Sequence, residues 1–190
     1  RLVEYNYFID GIFGTIVAVY ATYVMPFLIF GAFLQTSGAG DFFIDLASSV
    51  AGKVPGGPAL ISVIGSAIFG SISGSPVANV VATGTFTIPM MKKVGYSKEF
   101  SGAVEAAAST GGSFLPPVMG AAAFVLATIT ETPYGTIMIM AVLPAILYYL
   151  SIGLQVYFQA RKTGLKGLEA SEVPSTRAVL KRGWYFALTI

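Results

Sequence analysis

Residues 54–91 read VPGGPALISVIGSAIFGSISGSPVANVVATGTFTIPMM, a run of 38 residues without a charge. Lys53 precedes it, and Lys92 and Lys93 follow it. An uncharged run of this length reads as membrane-embedded. As one helix it would extend roughly 57 Å at 1.5 Å per residue, against a hydrocarbon core of about 30 Å. It must therefore turn, and the small polar segment Ser71-Ile72-Ser73-Gly74-Ser75-Pro76 is the place. The arm over 60–72 is then roughly 20 Å long and the arm over 77–91 roughly 22 Å, so neither crosses alone. Lysines at both ends favour the cytoplasmic face. The stretch reads as a re-entrant helical hairpin that enters from the cytoplasm and turns in mid-membrane.

The rest of the composition agrees. Of the 190 residues 55% are hydrophobic and 11% charged, and the mean hydropathy is +0.76. Residues 11–40, 54–91, 106–130 and 132–160 carry no charge at all. That is the pattern of an all-α polytopic membrane protein set in a lipid bilayer, not of a soluble domain. Cysteine and histidine are absent, which removes thiol nucleophiles, disulfides, most zinc and haem schemes and any Ser-His-Asp triad. No paired-carboxylate constellation replaces them, so an enzyme is disfavoured. The net charge of +2 does not point to nucleic acid, because the basic residues sit at membrane edges.

Taken in order, residues 1–53 form a scaffold span and an interfacial arm helix. Tyr5, Tyr7 and Phe8 suit an aromatic belt. The span over 11–35 contains Pro26, which predicts a kink near Tyr23. After a Gly/Ser break, Asp41 caps a short arm helix over 41–51. Phe42, Phe43, Leu46, Ala47 and Val50 form its apolar face. The hairpin occupies 54–91. A broken transmembrane helix occupies 99–130: it starts at Glu99, is interrupted by GGSFLPPVMG at 111–120, and resumes at Val118. A span over 134–160 crosses back, with Pro144 inside it. Residues 161–183 are a polar cytoplasmic connector, and 184–190 begin another span. Lys53, Lys92, Lys93, Lys98, Arg161, Lys162 and Lys166 fall on one side, and Arg1, Glu4, Asp10 and Glu131 on the other, a positive-inside pattern. The chain reads as a fragment of a longer protein, because it opens without methionine and ends in a new apolar segment.

Two interruptions at similar depth have a reason to meet, since non-helical backbone in a membrane must find partners inside protein or line a cavity. At the hairpin tip, Ser75 can cap the second arm and Pro76 suits its first position. That N-terminus favours an anion such as a carboxylate. Ser75, Pro76 and Thr83 are the expected substrate contacts. The end of the first arm presents carbonyls, and Ser71, Ser73, Ser75 and Asn79 add neutral oxygens of the kind hard cations prefer. In the broken helix, carbonyls around Ser109, Thr110 and Gly111, with Gly112 and Ser113, repeat the arrangement. Pro116 and Pro117 leave further carbonyls exposed. A desolvated Na⁺ could be held by five or six such oxygens without a carboxylate. Glu105 is the acid nearest the bilayer interior and a candidate for a transport role, although its closeness to Glu99 also allows an interfacial place. Thr85 and Thr87 read as packing residues, as does Gly70 in its Gly70-xxx-Gly74 spacing.

The wording GSISGSPVANVVATGTFTIPMMKKVGY followed by GAVEAAASTGGSFLPPVMGAA resembles the large membrane subunit, DctM type, of the tripartite ATP-independent periplasmic (TRAP) transporters. The segment VEAAASTGG is most similar to the fused permeases that work with TAXI-type binding proteins. The likeness covers about residues 20–168, the family's N-terminal half. It implies one half of an inverted-repeat, elevator-type transporter: a multi-pass permease of the prokaryotic inner membrane that imports small organic acids with Na⁺ as coupling ion. The implied partners are a periplasmic substrate-binding protein, a small membrane subunit or its fused equivalent, and a second repeat of the same chain. The implied Na⁺ ligands are Ser73, Ser75, Asn79, Thr110, Gly111 and Gly112. Two other readings stand beside this one. A related ion-coupled anion carrier without a binding protein, or a channel, would also use a Ser/Asn-tipped hairpin, and a non-transporting membrane scaffold would need no polar cluster at either break.

Overall fold

The computed structural model describes residues 14–169 and 172–187, and every regular element among them is helical. The expected aromatic belt at Tyr5, Tyr7 and Phe8, and the charges Arg1, Glu4 and Asp10, lie outside the described residues. The first predicted span is a rod in three parts: α1 (Thr15–Val19), a π-helical turn (Tyr20–Val24) and α2 (Met25–Thr36). The kink expected from Pro26 takes the form of that turn. Proline has no N–H for the carbonyl four residues back and its ring crowds the preceding turn. The chain widens by one residue, and the Met25 N–H donates to the Tyr20 carbonyl.

Next come α3 (Ala39–Ala51) and the two arms of the hairpin, α4 (Gly57–Ser73) and α5 (Pro76–Lys93). Asp41 does not cap α3. Gly38, with φ of +85°, turns the chain into the helix, and Asp41 stands in its first turn, where a carboxylate still complements the helix dipole. The inner face of α3 carries Phe42, Phe43, Ile44, Ala47, Ser48 and Ala51 and packs on α4. Val50, expected on that face, is 64% exposed, and Ser48 is buried instead. The face is set by how α3 crosses its protein neighbour, which helical spacing alone leaves open.

The broken helix consists of α6 (Lys98–Gly111) and α7 (Ala121–Ile129). Ser97 caps α6 by accepting the Phe100 N–H at 3.1 Å, so the helix starts just ahead of Glu99. The second half begins at Ala121, not at Val118, because Val118 and Met119 are drawn into the hairpin junction described below. A long helix, α8 (Tyr134–Thr163), runs 30 residues straight through Pro144, roughly 45 Å. Gly164 ends it in a left-handed conformation, φ +69°. The expected connector 161–183 is helical at both its ends. Its first residues complete α8, and α9 (Thr176–Ala187) starts inside it and continues past it, with a change of direction at Gly183. Gly183 sits against the Phe42 ring, which brings α9 onto α3.

Helices α4, α5 and α6 pack on one another, and α8 lies across α4 and α6. Ala59, Val63, Met91, Val104, Ala108, Val156 and Ala160 form the apolar core at that crossing. At one end of the bundle the Leu168 N–H donates to the Gly52 carbonyl at 2.8 Å, Gly56 meets Tyr96 and Ala160, and Lys93 pairs with Glu172 at 2.7 Å. These contacts bring the base of the hairpin, the loop after it and the end of α8 together. Among the described residues α8 is the helix long and apolar enough to cross a membrane, with only 11% of its most apolar window buried. Its remaining surface is therefore available to lipid or to further protein.

Candidate functional site

The two helix breaks do meet. The Val118 N–H donates to the Ser71 carbonyl at 3.0 Å, tying the middle of one interruption to the last turn of α4. Gly74, at the tip, has φ of +59°, and a Cβ there would stand 1.8 Å from the Met119 carbonyl oxygen. Only glycine fits on both counts. One turn down, Gly70 and Gly112 touch backbone to backbone: a Cβ on either would lie 2.7 Å from the Cα of the other. The Gly70 spacing is thus a packing device, and its partner is the broken helix. The Gly120 N–H closes the interruption onto the Ser113 carbonyl at 2.7 Å.

The predicted residues separate into three environments. Ser73, Ser75 and Pro76 line a cavity of about 190 Å³, together with Tyr20, Val24, Gly74, Met119, Gly120, Ala121 and Phe124. Ser75 caps α5 as expected, its Oγ accepting the Ala78 N–H at 3.3 Å, and Ser73 Oγ accepts the Ser75 N–H. Asn79, Gly111 and Gly112 do not line that cavity. Asn79 is fully buried. Its Nδ2 donates to the Ser66 carbonyl at 2.8 Å, and it flanks the Gly70–Gly112 crossing. Gly111 is backed by the rings of Tyr148 and Tyr149. Thr110 points elsewhere: its side chain is exposed and donates to the Ala106 carbonyl. Thr83 forms the third environment, two turns down α5, and is fully buried.

The carbonyls read as free are engaged. Those of Ser109, Thr110 and Gly111 accept N–H groups of Gly112, Ser113, Phe114 and Leu115. Those of Pro117 and Val118 accept the Tyr134 hydroxyl. A carbonyl has two lone pairs; that of Gly111 accepts two N–H groups and that of Thr110 also accepts the Ser113 hydroxyl, so a cation there would have to displace one of these bonds, whereas the Ser109 carbonyl has a second lone pair to offer. The donor set of Asn79 Oδ1 and the 110–112 backbone is neutral oxygen, which suits Na⁺. No His, Cys, Asp or Glu cluster of metal-binding kind occurs among the described residues.

Glu105 is not interfacial. It is fully buried, over Gly84, whose missing side chain leaves it room: a Cβ there would stand 3.1 Å from the Glu105 Cγ. Five hydroxyls reach its two oxygens. Ser62 donates to Oε2 at 2.7 Å, Ser66 to Oε1 at 3.1 Å and Ser109 to Oε1 at 3.2 Å. Thr83 reaches Oε1 and Thr87 reaches Oε2. Thr87 is therefore a polar partner, not simply a packing residue. The signal in the sequence is three polar pairs spaced four apart in apolar helices: Ser62/Ser66, Thr83/Thr87 and Glu105/Ser109. Four apart means one helix face, and three such faces converge here. Outside the membrane-embedded segments, the Lys93 ammonium holds the Glu172 carboxyl below the usual carboxylate range.

Strong hydropathy, a helical hairpin docked on an interrupted helix, and a polar junction between them place the chain among membrane transport proteins. Residues 4–190 match the family model described as Tripartite ATP-independent periplasmic transporter, DctM component, and the chain belongs to that family. It is 32% identical over 166 residues to the C4-dicarboxylate TRAP transporter large permease protein DctM of Pseudomonas aeruginosa, covering 87% of this chain and 36% of that protein. It is 34% identical over 149 residues to the isethionate TRAP transporter permease protein DctMQ of Oleidesulfovibrio alaskensis, covering 75% and 22%. It is 23% identical over 163 residues to the sialic acid TRAP transporter large permease protein SiaM of Vibrio cholerae, covering 86% and 38%. The chain thus spans about a fifth to two fifths of the relatives it matches. These relatives are transporter permeases, not enzymes.

Proposed function

We propose that this chain forms half of the permease of a Na⁺-coupled, binding-protein-dependent secondary transporter that imports small organic acids across the prokaryotic inner membrane. The observation that carries the reading is the junction itself: the hairpin tip is hydrogen-bonded and glycine-packed onto the interruption of α6 and α7. Discontinuous helices that meet in this way are the usual site builders of secondary transporters. In this reading the hairpin is re-entrant, and it moves with the broken helix as one elevator-like domain. The span formed by α1 and α2, the arm helix α3 and α8 belong to the scaffold. Asn79 Oδ1 and the carbonyls of Thr110, Gly111 and Gly112 would hold the coupling ion, with Ser73 nearest the cavity. A bound cation there would help to offset the charge of an anionic substrate placed on the α5 N-terminus at Ser75 and Pro76.

The relatives compared above carry C4-dicarboxylate, isethionate and sialic acid in their names. A small carboxylate is the substrate class we assign, paired with the positive end of α5 and with residues of the second, inverted repeat. A periplasmic binding protein, of TAXI type, delivers it, and a small membrane subunit or its fused equivalent completes the permease. The test uses the full-length protein with its binding protein in proteoliposomes. Accumulation should require both the binding protein and an inward Na⁺ gradient. Uptake unchanged when K⁺ replaces Na⁺ would reject the coupling, and uptake without the binding protein would favour a carrier that works alone.

A further inference from the structure

Helices α4 and α8 meet at the base of the hairpin, where Gly56 abuts Ala160. Beyond that contact they flank a groove of about 480 Å³, the size of a small-molecule site. Leu60, Ile64 and Ile68 of α4 line one side and Ile146, Leu150 and Leu154 of α8 the other. Gly153 also lines it and leaves it deep: a Cβ there would have only Leu60 Cδ2, at 3.9 Å, in contact. The lining is hydrocarbon apart from Tyr149, whose hydroxyl is engaged by the Ala108 carbonyl at 3.0 Å. A polar solute would find no partner there, and an empty groove would leave its walls without dispersion contacts. In a membrane the occupant is an acyl chain or another apolar helix.

The length of the groove favours the acyl chain. Leu60 to Ile68 is roughly 12 Å along its helix and Ala145 to Leu154 roughly 14 Å. Half of the hydrocarbon core is about 15 Å. One end of the groove lies near the hairpin base. At the other stands Leu115, in the interruption that is tied to the hairpin tip through the Val118 N–H and the Ser71 carbonyl. The groove therefore serves a single leaflet. A spanning helix needs a track through both leaflets, about 30 Å, whereas a phospholipid tail needs only one.

The rim supplies a charge. Arg161 follows Leu154 by seven residues and Leu150 by eleven, which puts all three on one face of α8. The arginine is exposed. Its guanidinium carbon lies 6.0 Å from the centroid of the Tyr157 ring, a cation–π distance, and among the described residues no carboxylate pairs with it. A guanidinium matches a phosphate in charge and in the geometry of its donors, and tyrosine suits the headgroup level. We propose that this groove binds one acyl chain of an anionic phospholipid of the cytoplasmic leaflet, the leaflet that the basic end of the bundle faces, with the lipid phosphate on Arg161. A zwitterionic lipid brings its own ammonium to the same phosphate, so the anionic lipid binds more tightly. The site is independent of the coupling ion and of the substrate, and its occupant completes the contact between the hairpin and α8.

The experiment is native mass spectrometry of the delipidated full-length permease, titrated with phosphatidylglycerol or with phosphatidylethanolamine of the same acyl chains. Wild type should bind one phosphatidylglycerol more than Gly153→Leu, in which the new side chain fills the groove. Ala67→Leu, on the opposite wall, makes the same test should Gly153→Leu not fold. Arg161→Gln should weaken phosphatidylglycerol binding at this site about five-fold, the weight of one basic residue at an anionic surface, and leave phosphatidylethanolamine binding unchanged. Equal numbers of bound lipids in wild type and the groove-filling variants overturn the site. Equal affinity of wild type for the two lipids, unaltered in Arg161→Gln, overturns the role of the arginine and with it the anionic lipid. A photoreactive group at Leu150 that crosslinks to another segment of the permease, and not to lipid, assigns the groove to protein and overturns the inference as well.

Discussion

At the residue scale, function is concentrated where side chains are smallest. Gly70 and Gly112 bring two backbones into contact, and that contact places Asn79. A methyl at Gly70 would meet the Gly112 Cα at 2.7 Å and Asn79 Nδ2 at 2.8 Å. The first of these is backbone and cannot swing away. Gly70→Ala should therefore cost about 1–3 kcal/mol through overpacking, seen as a lower melting temperature of the purified permease. Asn79→Ala should behave differently. It loses the Nδ2 bond to the Ser66 carbonyl and the longer bond from the Thr83 hydroxyl to Oδ1, together worth about 1–2 kcal/mol, and one cation oxygen. The expected result is a half-saturating Na⁺ concentration raised about ten-fold, which corresponds to about 1.4 kcal/mol of binding, in a protein that still folds. An unchanged Na⁺ requirement in Asn79→Ala would remove this residue from the ion site. Asn79 and the two glycines are readable from the sequence, because glycine and a lone amide in an apolar run are local signals. Glu105 is only half readable. Its position is plain, but whether it is a surface acid or a caged one depends on Ser62, Ser66, Thr83 and Thr87 arriving from two other helices.

Among the elements, punctuation decides what can be read. The tip at Gly74-Ser75-Pro76 and the interruption after Gly111 are marked by Gly, Ser and Pro, and both fall where expected. The restart at Ala121 could not be placed, because Val118 and Met119 are held by Ser71 and Gly74 across the junction. The polar composition of 161–183 concealed a helix start whose own signal was present: Ser175 Oγ accepts the Ala178 N–H at 3.3 Å, just after Pro174. Tyr134 shows how α8 supports the interruption. Its ring stacks on Phe124 with centroids 4.4 Å apart, and its hydroxyl donates to the Pro117 and Val118 carbonyls. Tyr134→Phe keeps the stack and loses the bond, so it should lower stability by about 1 kcal/mol with the Na⁺ requirement unchanged; a thermal melt beside a Na⁺ titration checks both. The Lys93–Glu172 clip at the hairpin base is a weaker matter. The Glu172 carboxyl is held low in the folded protein, so the clip contributes above its unfolded pKa and fades as the pH falls through the folded one. Both partners are solvent-exposed, and screening leaves such pairs little net effect. Lys93→Ala should leave the melting temperature unchanged within error at neutral pH.

For the molecule as a whole, the arrangement is one of a compact trio, α4, α5 and α6, with the other described helices around it. Helix α8 exposes Ile139, Met140, Leu143, Leu147, Leu150 and Leu154, a surface suited to lipid or to the rest of a longer permease. The elevator reading requires that the hairpin and the broken helix travel together, with the Ser71–Val118 contact intact in every state. Because the chain contains no cysteine, that can be tested without background from this segment. Ser71→Cys and Val118→Cys, introduced together into the full-length permease and oxidised to a disulfide in proteoliposomes, should leave Na⁺-driven, binding-protein-dependent uptake close to that of the reduced protein. Loss of uptake on oxidation, restored on reduction, would show that the tip and the interruption must separate during transport, and would contradict the account.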